Sequence, residues 1–311
     1  MIRGTLVRQQ GLTLIELLVA VVLMLLISIA TIAIFNVSSS SYRTVDANQE
    51  LQDNARFVME IIGQAARSAG YQDRTGPTSV GNVLTDKVFG PTTVDTWRVQ
   101  GANNANIGGG TSSLSFGSSN GVNKSDALVI RFFGASSTTN PTEADGSMID
   151  CSGRSIPYPS GSLDVGVSAF YIKVLNGEPE LYCKSWNPST GNFSDTQIIR
   201  GVETFQVMYG LDTDNDDVPN RWISATSAWD PLPPATPNWN NVVAVRVGMV
   251  LRGSSGSSQG QSATASENVL YPLGKTFTDN STEDGLKFFP PDDGRLRRTF
   301  VATFMFQNSI R

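Results

Sequence analysis

The sequence predicts an α+β protein: one long N-terminal α-helix, apolar all round in its first half, with an antiparallel β-sheet domain packed on its second half. Three observations carry this. An apolar run from Leu12 to Phe35, interrupted mainly by Glu16, leads into a stripe of apolar residues at helical spacing. No Gly or Pro stands between Leu12 and Ile62, so nothing breaks the helix. The later apolar runs are short, alternating or β-branched, and read as strands.

Residues 1–11, MIRGTLVRQQG, form a leader with Arg3 and Arg8 and no acid. Residues 12–35 are long and apolar enough to cross a hydrocarbon core of about 30 Å, which keeps the basic leader cytoplasmic and places everything after Phe35 outside. A secretory signal would put small residues behind the apolar run, whereas Gly11 stands in front of it. An uncleaved signal anchor satisfies the same topology. Glu16 shifts the balance, because a carboxylate near the bilayer centre costs about 2.5–3.5 kcal/mol even on the lenient insertion scale. A cut between Gly11 and Leu12 would create an α-amino group one helical turn before Glu16, giving that charge a partner in the chain or in a neighbouring subunit.

Residues 36–70 form the amphipathic second half. Leu51, Ala55, Val58, Ile62, Ala65 and Ala69 alternate spacings of four and three, and Gly70 offers a C-terminal cap to a helix on the order of 85 Å long. Residues 71–311 make up a β-rich globular domain. Its opening stretch, 71–126, is rich in Gly, Asn, Ser and Thr, has TTVDTWRV as its best strand candidate, and reads as a variable insertion. Strands are expected at 127–133, 167–174, 180–184, 202–210, 242–251 and 299–307. In the fifth, Val243, Val245, Val247, Met249 and Leu251 share one face and Arg246 lies on the other, as in a half-buried antiparallel strand. Asn176-Gly177 marks a hairpin. PLPPATP (231–237) and GSSGSSQGQSATAS (253–266) read as surface connectors.

Composition narrows the function. A net charge of -5 over 311 residues supplies no general basic field for nucleic acid, and none is expected as a partner. With no histidine, the usual general base and the Ser/His and Cys/His pairs are absent, and an enzyme is not expected. Cys151 and Cys183 are the two cysteines, too isolated for zinc. They read as a disulfide formed in an oxidising compartment, against the alternative of two buried thiols. Asp212, Asp214 and Asp216 alternate in DTDNDD behind a strand, with Asn220 beyond as a further oxygen donor. Two readings stand, a weak calcium site and a solvated turn that bonds its own backbone; no other cofactor is expected. Trp186, Trp222, Trp229 and Trp239 fall in or near expected loops, where they would form a binding patch only if they clustered.

Gly11-Leu12-Thr13-Leu14-Ile15-Glu16, behind a short basic leader and ahead of an apolar helix, resembles the type IV prepilin signal. The segments ARFVMEIIGQAARSAGY and GVETFQVMYGLDTDNDDVPNRW, in that order, resemble the PilW type of minor pilin. The resemblance implies a pilin-like fold, cleavage behind Gly11 by a prepilin peptidase, methylation of Leu12, and a role for Glu16 in adding the subunit to a filament. It implies a single-pass protein of the bacterial inner membrane, with its domain periplasmic and later on the pilus or cell surface. Its partners would be other minor pilins, the major pilin and a large tip adhesin, and its function the priming of pilus assembly near the tip. Leu rather than Phe at position 12, and Ala33 where major pilins often carry Pro, point away from a major subunit. A pseudopilin of type II secretion has the same signal, and a surface- or DNA-binding tip module is the other alternative.

Overall fold

The computed structural model describes residues 13–72, 97–159 apart from 109, 112, 119, 138, 139, 141 and 142, 165–225 apart from 188, and 238–258, 269–279 and 285–308. The first element is helix α1 (Leu14–Ser68), 55 residues without interruption. Thr13 caps its start in extended conformation, its hydroxyl accepting the Glu16 N–H. Its end falls where the sequence places it: Ala69 N–H turns back to Ala66 C=O, and Gly70 takes φ 71°, the left-handed conformation that suits glycine.

Five strands, β1 (Val99–Ala102), β4 (Ala127–Phe133), β5 (Val165–Leu175), β6 (Glu178–Asn187) and β7 (Asn192–Arg200), form one antiparallel sheet in the order β1-β4-β5-β6-β7. A second sheet, ordered β11-β10-β8-β9, contains β8 (Val202–Leu211), β9 (Arg221–Ile223), β10 (Val242–Arg252) and β11 (Arg297–Met305). Strands β2 (Ala105–Gly108) and β3 (Ser115–Ser118) pair as a small hairpin. The β5–β6 turn is Asn176-Gly177, both residues at positive φ (52° and 80°), which matches the right-handed strand twist and sets the register Leu175 opposite Glu178.

One core joins the helix to both sheets. Leu51, Val58 and Ile62 of α1 meet Leu128, Ile130 and Phe170 of the first sheet and Phe205, Val247 and Met249 of the second. A separate cluster lies on the other face of the first sheet, where Val129, Val167, Tyr171 and Trp186 are covered by Ala105 and Ile107 of β2 and by Leu114. The stretch expected to be an insertion therefore contributes an edge strand, β1, and a lid over a sheet face. Gly101 in β1 belongs to this design, because a Cβ there would collide with the Tyr209 ring on β8.

Strand β10 also departs from expectation. Val245, Val247, Met249 and Leu251 face the main core as the alternation predicts, but Ala244 and Val250 on the opposite face are buried too. The chain around Pro272, Leu273 and α2 (Lys275–Asp279) folds over that face: Pro272 C=O sits against Gly248, and the Phe277 ring lies 4.6 Å from the Arg246 guanidinium. The strand is thus covered on both faces, by the main core on one and by this distant segment on the other.

Candidate functional site

Gly11 and Leu12, the expected processing residues, lie outside the described residues. Glu16 stands in the first turn of α1, next to the Thr13 cap. From Leu14 to Val37 the apolar side chains are exposed, Leu14 at 81% and Phe35 at 70%. The helix is long and apolar enough to cross a membrane, with a window of mean hydropathy 3.1 that no described residue buries. Its hydroxyls are satisfied within the helix, Ser28 donating to Met24 C=O and Thr31 to Ile27 C=O, as a lipid or filament environment requires. About three turns beyond Val37, one face is sealed by the domain: Ala47, Leu51, Ala55, Val58, Ile62 and Ala66 are buried.

Cys151 and Cys183 are joined in a disulfide, with Cα atoms 6.1 Å apart. Cys183 lies on β6 opposite Phe170, and Cys151 is held in its loop by an N–H bond to the Ser168 hydroxyl. The bond pins the 148–156 loop to the first sheet beside α1. Together they wall a cleft of about 310 Å³ with Phe57, Ile61 and Gln64 on the helix side.

Asp212, Asp214 and Asp216 bring one carboxylate oxygen each within 4.8 Å of one another. Asp212 is buried, and its two oxygens accept the N–H groups of Asp214, Asn215, Asp216 and Asp217. Burial pushes the Asp212 carboxyl up, but those backbone bonds outweigh it and hold it below the usual carboxylate range. Asn215 and Asp217 take positive φ (67° and 65°), so the chain curls around the carboxylate. Asn220, the further oxygen donor that the sequence offers, is engaged within the loop. Its Oδ1 accepts the Thr213 N–H and hydroxyl, and its Nδ2 donates to Asp214, turning a donor toward the cluster. The loop thus bonds its own backbone through the buried Asp212, while the Asp214 and Asp216 carboxylates are exposed.

The tryptophans form no patch among the described residues. Trp239 is fully buried edge-on to Tyr209, Trp186 packs on Phe193, and Trp222 meets Phe277; Trp229 lies outside the described residues. Sequence reasoning missed a charged cluster near the β5–β6 turn. Arg252 bonds Glu178 and Glu203, Arg295 bonds Glu178, and Arg297 bonds Glu203 and Asp293. These residues are scattered over more than a hundred positions of sequence, and only the fold assembles them.

A family profile described as Type IV Pilus-assembly protein W matches residues 169–308. One described as Prokaryotic N-terminal methylation motif matches residues 6–32. Among solved structures, a type IV-like pilin from Thermus thermophilus is similar at 12% identity, covering 84% of this chain and 100% of that one with a TM-score of 0.40. No curated protein matches the chain. The two profiles fall on the two parts that the geometry separates, the bare apolar helix and the disulfide-closed sheets: the chain carries a PilW-type region over residues 169–308 behind the N-terminal methylation motif of pilin-like proteins.

Proposed function

We propose that this chain is a minor pilin that takes part in priming type IV pilus assembly, in a minor-pilin complex near the pilus tip. In this reading prepilin peptidase cuts between Gly11 and Leu12 and Leu12 is methylated. Residues 12–35 hold the subunit in the inner membrane and later in the filament core, while the domain stands on the periplasmic side and meets other minor pilins, the major pilin and a tip adhesin. The observation that supports it is the divided helix: behind a methylation motif, one continuous α1 is bare and apolar from Leu14 to Val37 and sealed by the domain from Ala47 onward. A helix of this kind needs one apolar host before assembly and another afterwards. Glu16 is the charge that the second host can neutralise, by pairing with the new N-terminus of a neighbouring subunit. The chain acts here by docking and carries out no reaction of its own.

The test is the intact mass and N-terminal sequence of the protein produced with and without a prepilin peptidase. Mature chain beginning at methylated Leu12, only when the peptidase is present, is the expected result; a chain still carrying its leader in both cases would sink the proposal. Glu16→Ala is then expected to be cleaved normally and to unfold at the same denaturant concentration, yet to be lost from sheared pili.

A further inference from the structure

The two large sheets have four edges, and three are blunted. Strand β9 is three residues long and β1 four. Strand β7 is longer, but a bulge opposite Leu181 and Tyr182 interrupts its register, and it exposes Asn192, Ser194, Asp195, Gln197 and Arg200. Short strands, bulges and polar side chains are the devices that keep an edge from pairing with another chain. Strand β11 is neither short nor bulged, although it exposes Arg298 and Thr303. It pairs with β10 over nine residues without a register shift, contains no proline, and exposes Val301 and Met305.

Its free backbone groups can be named. Phe306 N–H donates to Val243 C=O, and the regular register carries that inward orientation back through Phe304, Ala302 and Phe300. The N–H and C=O groups of Thr299, Val301, Thr303 and Met305 therefore point away from β10, and no other described strand pairs with them. At the start of the strand Arg298 is exposed, donates to the neutral Asn48 Oδ1, and has no carboxylate partner among the described residues.

We propose that this edge receives an extended segment of a different protein, which adds to the four-stranded sheet as a fifth strand. Its recognisable chemistry is an alternating, proline-free stretch with apolar side chains beside Val301 and Met305 and a carboxylate near Arg298. The direction of the strand excludes antiparallel pairing with a second copy. Arg298 meets Asn48, Phe304 packs at Gly63, and Asn308 donates to Arg67 C=O and Ala69 C=O, so β11 runs the same way as α1. Two copies joined by antiparallel β11 edges would point their helices in opposite directions, whereas on the pilus reading above all helices enter one membrane by the same end.

The probe is a synthetic peptide of alternating valine and threonine, matched to β11 in length, with two glutamates at one end or the other. It is added to the full chain in detergent and amide hydrogen exchange is followed. The expected result is exchange about tenfold slower at Thr299, Val301, Thr303 and Met305, and unchanged at β7, with one of the two glutamate placements. The same peptide with alternate amides N-methylated, and the Thr303→Pro chain, whose lost N–H points outward, should both show no slowing. No slowing with either placement, or equal slowing by the methylated peptide, overturns the proposal. A sedimenting dimer that Thr303→Pro dissolves would overturn the choice of occupant. Leader cleavage is read separately at Gly11-Leu12, so failure of the pilus reading and failure of the edge are distinguishable.

Discussion

The two halves of α1 belong to one continuous helix and meet opposite fates. From Leu14 to Phe35 the helix is apolar on every side and no described residue covers it. From Ala47 to Ala69 it carries a narrow apolar stripe, and the stripe is buried throughout. Hydrophobicity alone therefore does not decide burial here; the distribution around the axis does. A stripe can be satisfied by a domain attached to the same chain, while an all-round surface exceeds what one domain can cover and asks for lipid or other helices. The small residues of the stripe, Ala47, Ala55, Gly63, Ala65 and Ala66, let strands approach the axis closely.

The comparison breaks most sharply at Ile62 against Leu25. Ile62 is fully buried between both sheets, so Ile62→Ala should destabilise the domain by about 2–5 kcal/mol, the usual range for a large-to-small core change. Leu25, 58% exposed, loses nothing in the folded chain, so Leu25→Ala should leave the unfolding midpoint in place. Denaturant unfolding of the full chain in detergent, followed by tryptophan fluorescence, measures both. Equal effects would mean that the two halves are not energetically separate.

A smaller change sharpens the same contrast. At Gly63 a Cβ would lie 2.8 Å from the Phe304 ring of β11, closer than packing allows. Gly63→Ala gains about 1 kcal/mol of helix propensity but forces the ring aside, at about 1–3 kcal/mol for overpacking. The net expectation is a loss on the order of 1 kcal/mol, and Gly63→Leu should lose more. If Gly63→Ala were stabilising, Phe304 would not be held against the helix.

Most of this frame could be read from sequence, because period is a local property. The helix stripe, its glycine cap, the Asn176-Gly177 turn and six strands each follow from residues close together in the chain. The disulfide is one of two readings of Cys151 and Cys183; the fold decides for it, since the hairpin returns Cys183 beside the strand that Cys151 precedes. Strand β7, NFSDTQIIR, was not predicted: as an exposed edge it needs few apolar residues, and its bulge spoils the alternation. The hairpin β2–β3 was hidden because Ile107 and Leu114 are isolated apolar residues in a Gly- and Asn-rich stretch. The orientation of Asn220 is not legible in sequence, because spacing gives no information on which end of an amide faces a carboxylate. The inner and outer faces of β10 could not be told apart in advance, since the cover around Phe277 comes from a distant segment.

The charged cluster tests how firmly the domain grips the second half of the helix. Arg252 and Arg295 reach Glu178 beside the β5–β6 turn, and Arg297 at the start of β11 reaches Asp293, so the pairs tie the first sheet to the strands that lie along α1. The Arg252 bond is the main cause holding the Glu178 carboxyl below its ordinary value, and the Arg297 bond does the same for Asp293. A carboxyl whose folded pKa is depressed stabilises the fold at any pH above its unfolded value, roughly 4, and loses that contribution as the pH falls through its lower folded value. Acid should therefore loosen the second half of α1 and leave the first, whose one carboxylate is Glu16, as helical as before. Glu178 and Asp293 are 37% and 31% exposed, so solvent limits each to less than about 1 kcal/mol. Hydrogen exchange of the full chain in detergent, at neutral pH and near pH 3, should show faster exchange along Leu51–Ile62 at the lower pH after correction for the intrinsic rate, and none in the Leu14–Phe35 half. Glu178→Gln should remove part of that pH dependence, and an unchanged difference would place the acid-sensitive hold elsewhere in the domain.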